Sequence, residues 1–207
     1  MDTIAANARD LEIELDWFAV VLGRTLVSYF ETPDARPDSI ECPPPPLGDS
    51  PYAQFVNDHA LSATERLVLV LALVPHVRPQ LLDIFWTRNS AIERGYSEFG
   101  GLQGTAHGGF IPTGETAAFI VAGENLELRF GLNRLFDSDH VFAREGVLRL
   151  VQPAASEPML SGVLSISAEY LHRFTSGDER KPTFGSDFPA RRIDTQATWK
   201  DLVLPIA

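Results

Sequence analysis

Lysine and cysteine are both scarce in this chain of 207 residues, and each shortage excludes a kind of chemistry. The only lysines are Lys181 and Lys200. The glycine-dense segment 98–119 therefore lacks the lysine with which a Walker-type loop reaches the outer phosphates of a nucleotide. A single cysteine, Cys42, excludes an internal disulfide and a cysteine-based zinc site. The sequence thus predicts no phosphate-binding loop, and its cysteine content indicates a reducing compartment, the cytoplasm.

Positive charge is also sparse, with 17 Lys and Arg against 28 Asp and Glu and a net charge of −11. Affinity for nucleic acid arises from cations that displace counterions from phosphates, and anionic membranes attract basic clusters in the same way. We therefore expect partners that are neither nucleic acid nor membrane. No export signal is visible, and the apolar run 67–74 is too short to span a bilayer.

Residues able to carry out catalysis are thinly spread along the sequence. The five histidines form no H-E-x-x-H motif, and no G-x-S-x-G motif is present. We therefore predict no catalytic residue, no metal site and no cofactor in this chain. One alternative stays open: a small enzyme in which a glycine-rich lid closes over His107, Glu98 and Glu115.

The N-terminal half divides at a run of prolines. Apolar residues at spacings of three and four predict a helix over 10–30, and Val20 and Val27 widen its apolar stripe, so we expect burial on more than one side. Six prolines between residues 33 and 50 exclude helix and central strand. We predict an N-terminal helix (1–32), a proline-rich connector (33–50) and a domain (51–207) that packs with the helix as one unit.

Capping signals locate the later elements. Ser62 and Glu65 have the spacing of a capping box, which predicts a helix that Pro75 ends, followed by a second helix over 80–88. Thr113 and Asn125 are predicted to cap helices over 114–122 and 126–136. A hairpin of 147–151 with 159–166 and a helix from Ser167 to Gly177 follow. The last predicted elements are a strand at Ile193 and a helix over 198–204.

These elements predict an α+β fold, mainly helical and winged-helix-like, with a helix-turn-helix core and a β-hairpin wing. Some winged-helix proteins are transcription regulators, and this function is a second alternative. The second helix of the pair is dominated by apolar residues, which favours core packing over reading of DNA.

Several segments resemble the N-terminal region of the AAA+ ATPases encoded with phage-tail-like extracellular contractile injection systems. They are PPPL at 44–47, ERLVLVLALVP at 65–75, RPQLLD at 78–83, EFGG at 98–101, GFIPTGET at 109–116, EPMLSG at 157–162, EYL at 169–171, FPA at 188–190 and WKDLVL at 199–204. Together they extend over nearly the whole chain in the family's order.

The resemblance implies a winged-helix-type domain placed before an ATPase motor, in a cytoplasmic bacterial protein. Its Walker residues would lie downstream, so ATP, magnesium and hexamer formation are expected only of the motor. By resemblance, the domain recognises particle components or cargo for assembly, loading or remodelling. We expect partners to bind at loops, at these residues: Gln103, His107, Gln152, Ser156, Glu157, Asp178, Arg180 and Lys181.

Overall fold

The first helix, α1 (Thr3–Glu31), begins seven residues earlier than its apolar periodicity predicts. The computed structural model describes residues 2–31, 42–91, 93–151 and 155–177. The other described helices that contact α1 cover one side of it. The prediction that α1 is buried on more than one side is wrong for Val20 and Val27, whose side chains are 47% and 54% exposed. The buried apolar face consists of Leu11, Leu15, Phe18, Val21 and Leu22.

Two capped helices follow the proline-rich segment. Helix α2 (Pro51–Asp58), which the sequence analysis missed, begins where the Ser50 side chain accepts a hydrogen bond from the Ala53 N–H. Helix α3 (Ala63–Val77) begins with the predicted capping box. The prediction that Pro75 ends α3 is wrong, because the helix continues for two residues beyond this proline, which removes only a single helical hydrogen bond.

The capping box gives a prediction for helix stability. The Ser62 Oγ accepts from the Glu65 N–H at 3.3 Å, and a Glu65 carboxylate oxygen accepts from the Ser62 N–H at 2.7 Å. We expect Ser62→Ala to lower the free energy of unfolding by about 1 kcal/mol, measured by urea denaturation. Ser62→Gly is the matched control and should cost only a few tenths of a kcal/mol. Equal losses in the two variants would contradict the capping role.

Short elements connect α3 to the next helix. A 3₁₀ helix (Pro79–Trp86) replaces the α-helix predicted over 80–88. Two small antiparallel hairpins follow, and the second one lies within the glycine-dense segment 98–119. The strands and the intervening 3₁₀ helix are β1 (Arg88–Asn89), β2 (Arg94–Gly95), the 3₁₀ helix Ser97–Phe99, β3 (Leu102–Gln103) and β4 (Phe110–Ile111).

The remaining described elements largely follow the capping predictions. The helix over 114–122 is confirmed to the residue, and the hairpin and the helix after Ser167 are confirmed, although the second strand begins at Leu164 after a 3₁₀ turn. The elements are α4 (Gly114–Ala122), α5 (Leu126–Asn133), the 3₁₀ helix Arg134–Phe136, α6 (Val141–Arg144), β5 (Leu148–Leu150), the 3₁₀ helix Met159–Ser161, β6 (Leu164–Ile166) and α7 (Ala168–Thr175).

The predicted α+β class is confirmed for the described residues, in which helices dominate and three two-stranded sheets are present. In the third sheet, Leu148 pairs with Ile166 and Leu150 with Leu164. An isolated bridge between Thr113 and Val163 joins this sheet to the chain after β4. The predicted strand at Ile193 and helix over 198–204 lie outside the described residues.

Helix α3 is the centre of the core. Every residue from Arg66 to Val74 is buried, because α1, α4, β6 and the following 3₁₀ helix all contact it. Within the described ranges, no single helix is long and apolar enough to cross a membrane. Helix α3 and the 3₁₀ helix have the length and composition of a span only together, and they are bent by 100° relative to each other.

Candidate interaction surfaces

The first two predicted binding residues lie on the β3–β4 hairpin. Gln103 is exposed at the end of β3, and His107 is half-buried in the turn. His107 lies close enough to His76, at the end of α3, for their charges to interact. Burial lowers the pKa of His76, and the neighbouring His107 lowers it further. Both effects favour the neutral form of His76.

The three residues of the enzyme alternative make their described contacts with different groups. Glu98 accepts a hydrogen bond from the Tyr29 hydroxyl, and Glu115 forms an ion pair with Arg129. His107 lies near His76, whose pKa it lowers. In the part of the chain that the structure describes, no three His, Cys, Asp or Glu side chains converge as metal ligands would.

Ser156 and Glu157 are exposed in the connection between β5 and β6. The other predicted binding residues, Gln152, Asp178, Arg180 and Lys181, lie outside the described residues. Thr113 and Val163 pair antiparallel. The β3–β4 hairpin, which precedes Thr113, and the loop with Glu157, which precedes Val163, therefore extend in opposite directions from this bridge. The structure thus separates the β3–β4 turn from the loop that contains Glu157.

A row of buried polar residues on α1 fixes the proline-rich segment. The Asp10 carboxylate accepts from the Gly48 N–H at 2.8 Å and from the Ser50 N–H at 3.3 Å. The Asn7 side-chain oxygen accepts from the Tyr52 N–H at 3.1 Å. The Trp17 indole N–H donates to the carbonyl of Cys42 at 3.0 Å. The described part of this segment, residues 42–50, is neither helix nor strand, as predicted, yet side chains of α1 bond it at several points.

An ion pair lies at the centre of this row. The Arg66 guanidinium is 2.6 Å from a Glu14 carboxylate oxygen, and the side chains are 8% and 0% exposed. Arg66 also donates to the Pro45 carbonyl at 2.9 Å and lies over the Trp17 ring, 5.5 Å from its centroid. Burial raises the pKa of Glu14, while the Arg66 charge opposes that rise. These contacts of the buried cation link α1, α3 and the proline-rich segment.

Helix α5 presents a surface that the sequence analysis did not single out. Its only buried residue is Leu132. Leu126 and Phe130, four residues apart and therefore on one face, are 62% and 66% exposed. Exposed charges near this pair in the sequence are Glu127 on the helix and, beyond it, Arg134 and Asp137. We name the surface formed by Leu126 and Phe130 the α5 face.

A shallow groove lies between α1, the end of α3 and the end of α7. Its volume is about 450 Å³. Apolar side chains form its floor and four polar residues border it. The lining residues are Ile4, Ala8, Leu11, Leu15 and Val77, with Glu12, Arg78, Thr175 and Ser176.

Comparison of the chain with protein-family models, curated proteins and solved structures gives no match. The candidate surfaces are therefore defined by geometry and chemistry alone. A sequence signal for the α5 face does exist in the spacing of Leu126 and Phe130. The same spacing is typical of a helix face that packs into a core, so periodicity alone does not separate the two cases.

Proposed function

We propose that this chain is a non-catalytic protein-interaction domain that recognises a protein partner through the α5 face. The observation that carries the proposal is the exposure of Leu126 and Phe130, 62% and 66%, on a helix whose only buried residue is Leu132. Large apolar side chains that are exposed side by side mark protein interaction sites more often than isolated ones do.

The charge around the α5 face indicates the chemistry of the partner. The chain has a net charge of −11, and exposed Glu127 and Asp137 lie near the two apolar residues in the sequence, together with one exposed cation, Arg134. A complementary partner segment has apolar anchor residues flanked by Lys or Arg, because opposite charges at the rim speed association and exclude wrong partners. This partner is a protein segment and not a nucleic acid.

The broader setting that we propose follows from the resemblance stated above: a winged-helix-type domain that serves a AAA+ motor of a contractile injection system. The matching segment 65–75 contains Glu65 of the α3 capping box, and segment 109–116 contains Thr113, the N-cap residue of α4. Those segments thus supply helix starts and core positions in this fold. In this proposal, ATP and magnesium belong to the motor, and this domain recruits particle components or cargo.

Co-sedimentation with purified contractile injection particles, and with the isolated AAA+ motor module, tests the proposal. We expect Leu126→Glu/Phe130→Glu to weaken binding at least about tenfold, because the variant places charge where an apolar anchor contacts the partner. Its stability should stay unchanged, since both side chains are exposed. Ile84→Glu, at a residue of the 3₁₀ helix Pro79–Trp86 that is 43% exposed, is the matched control and should bind normally. Wild-type protein that binds neither probe, or a double variant that binds as tightly as wild type, contradicts the proposal.

A further inference from the structure

The solvent-facing side of α1 carries a continuous stripe of alternating charged and apolar residues. They follow one another at spacings of four, three, four, four, three and four, which keeps all of them within about 40° of Val20 around the helix axis. All seven are exposed, and the three apolar ones are 36%, 47% and 54% exposed in chain order. The members of this α1 stripe are Arg9, Ile13, Asp16, Val20, Arg24, Val27 and Glu31.

The stripe is symmetric about its central residue. Ile13 and Val27 lie seven residues before and after Val20. Asp16 and Arg24 lie four residues on either side of it and have opposite charges, and Arg9 and Glu31, eleven residues on either side, are again opposite. If a second copy of the helix lies antiparallel with its Val20 at the same height, apolar residues therefore face apolar residues and each charged residue faces one of opposite charge.

We propose that the α1 stripe is an interface between two copies of this chain, which pair α1 antiparallel about a two-fold axis at Val20. A two-fold interface is self-complementary, so every contact occurs twice. Val20 faces its own copy, and Ile13 faces Val27 of the second copy on both sides of the axis. Asp16 then faces Arg24 of the second copy, and Arg9 faces Glu31, which gives four ion pairs along about 33 Å of helix.

Charge also determines the direction of the pairing. In a parallel pair in register, Asp16 faces a second Asp16 and Arg24 a second Arg24, and like charges in such positions are destabilising. Only the antiparallel arrangement makes all the charged contacts favourable. The stripe is also locally neutral, with two cations and two anions, on a chain whose net charge is −11. Two copies therefore approach with less repulsion at the stripe than at the acidic remainder of the surface.

The existing contact of Asp16 does not oppose this pairing. Its carboxylate lies 3.6 Å from Arg78 of its own chain, but the Asp16 side chain is 81% exposed. Ion pairs this exposed contribute little, so Asp16 can also accept from Arg24 of a second copy. Because one helix per copy forms the interface, it lies at the small end of the range for stable complexes. We expect weak, concentration-dependent dimers.

Sedimentation equilibrium of the full chain over a concentration series tests the proposal. We expect Asp16→Arg and Arg24→Asp each to raise the dissociation constant of the dimer about tenfold or more, because each converts two ion pairs into two like-charge contacts. The double variant restores both pairs with reversed sign and should dimerise within about threefold of wild type. An equimolar mixture of the two single variants should form mixed dimers of the same affinity.

Three results overturn the proposal: a wild-type chain that is monomeric throughout the series, a double variant as weak as the single variants, or single variants that dimerise like wild type. Asp16→Arg also places a cation near Arg78 of its own chain, so thermal unfolding of each variant is measured in parallel. The double variant keeps that repulsion, and its recovery of dimerisation therefore reports the contact between copies and not the stability of the fold.

Discussion

Replacement of Arg66 by alanine is expected to lower the free energy of unfolding by about 3–5 kcal/mol, because it leaves the Glu14 carboxylate buried without its cation. The Glu14 side chain is fully buried and lies 2.6 Å from Arg66. The variant also loses the hydrogen bond to the Pro45 carbonyl and the contact with the Trp17 ring. Urea denaturation at neutral pH measures the loss.

The pH dependence of stability distinguishes the effect of the unpaired Glu14 charge from the effect of the packing lost in Arg66→Ala. Burial already raises the pKa of Glu14 in the wild-type fold, and without the Arg66 charge it will rise further. A carboxyl whose pKa is higher in the folded than in the unfolded state binds its proton more tightly when folded, so stability falls as pH rises between the two values. The deficit of Arg66→Ala should therefore shrink as the pH is lowered from 7 toward the ordinary range of a glutamate. A deficit independent of pH contradicts an unpaired Glu14 charge as its cause.

Two further variants test whether burial of the unpaired charge causes the loss of stability in Arg66→Ala. Glu14→Gln/Arg66→Met removes both charges together and should recover much of the stability that Arg66→Ala loses, because neither charge is then buried alone. Arg129→Ala breaks the ion pair with Glu115, whose side chains are both 23% exposed, and should cost less than Arg66→Ala because water still reaches the remaining carboxylate. Equal losses in Arg66→Ala and Arg129→Ala contradict the role of burial.

The buried polar residues of α1 show which features of the fold can be predicted from sequence patterns and which cannot. The side chains of Ser62, Asn125 and Ser167 cap helices as predicted, because a cap is a local interaction within four residues. The role of Asp10 depends on residues about 40 positions away, Gly48 and Ser50, and in the sequence it is one of several acidic residues of an amphipathic helix. Non-local partners of this kind leave no short-range signal.

The two proposed interaction surfaces, the α1 stripe and the α5 face, show a second limit of sequence patterns. Val20, Val27, Leu126 and Phe130 recur at helical spacing, and such spacing is typical of a face that packs into a core. Whether a neighbouring element covers the face depends on tertiary packing. In this fold the described neighbours pack on other faces of α1 and α5, and these side chains stay exposed. The apolar pattern thus predicted the helices correctly but not which apolar side chains are exposed.

The second large effect is expected at Gly101, in the glycine-dense segment. Its φ is +81°, a conformation that side-chain-bearing residues rarely adopt, and an added Cβ would overlap the ring of Phe110. Phe110 is 1% exposed, and its ring centroid lies 5.0 Å from that of Phe85. We expect Gly101→Ala to lower the free energy of unfolding by about 2–5 kcal/mol, from backbone strain and overpacking together.

Gly108→Ala is the matched control in the turn of the same hairpin, because nothing lies within 4 Å of a Cβ added there. Its effect should stay within about 0.5 kcal/mol. The pair of variants decides between two roles for these glycines. If they serve the fold, Gly101→Ala alone loses stability in urea denaturation, whereas glycines needed only for the motion of a lid predict small and similar losses at both positions. The position of the Phe110 ring directly against Gly101 makes the structural role the expected one, since this contact fixes the start of the hairpin to the aromatic core.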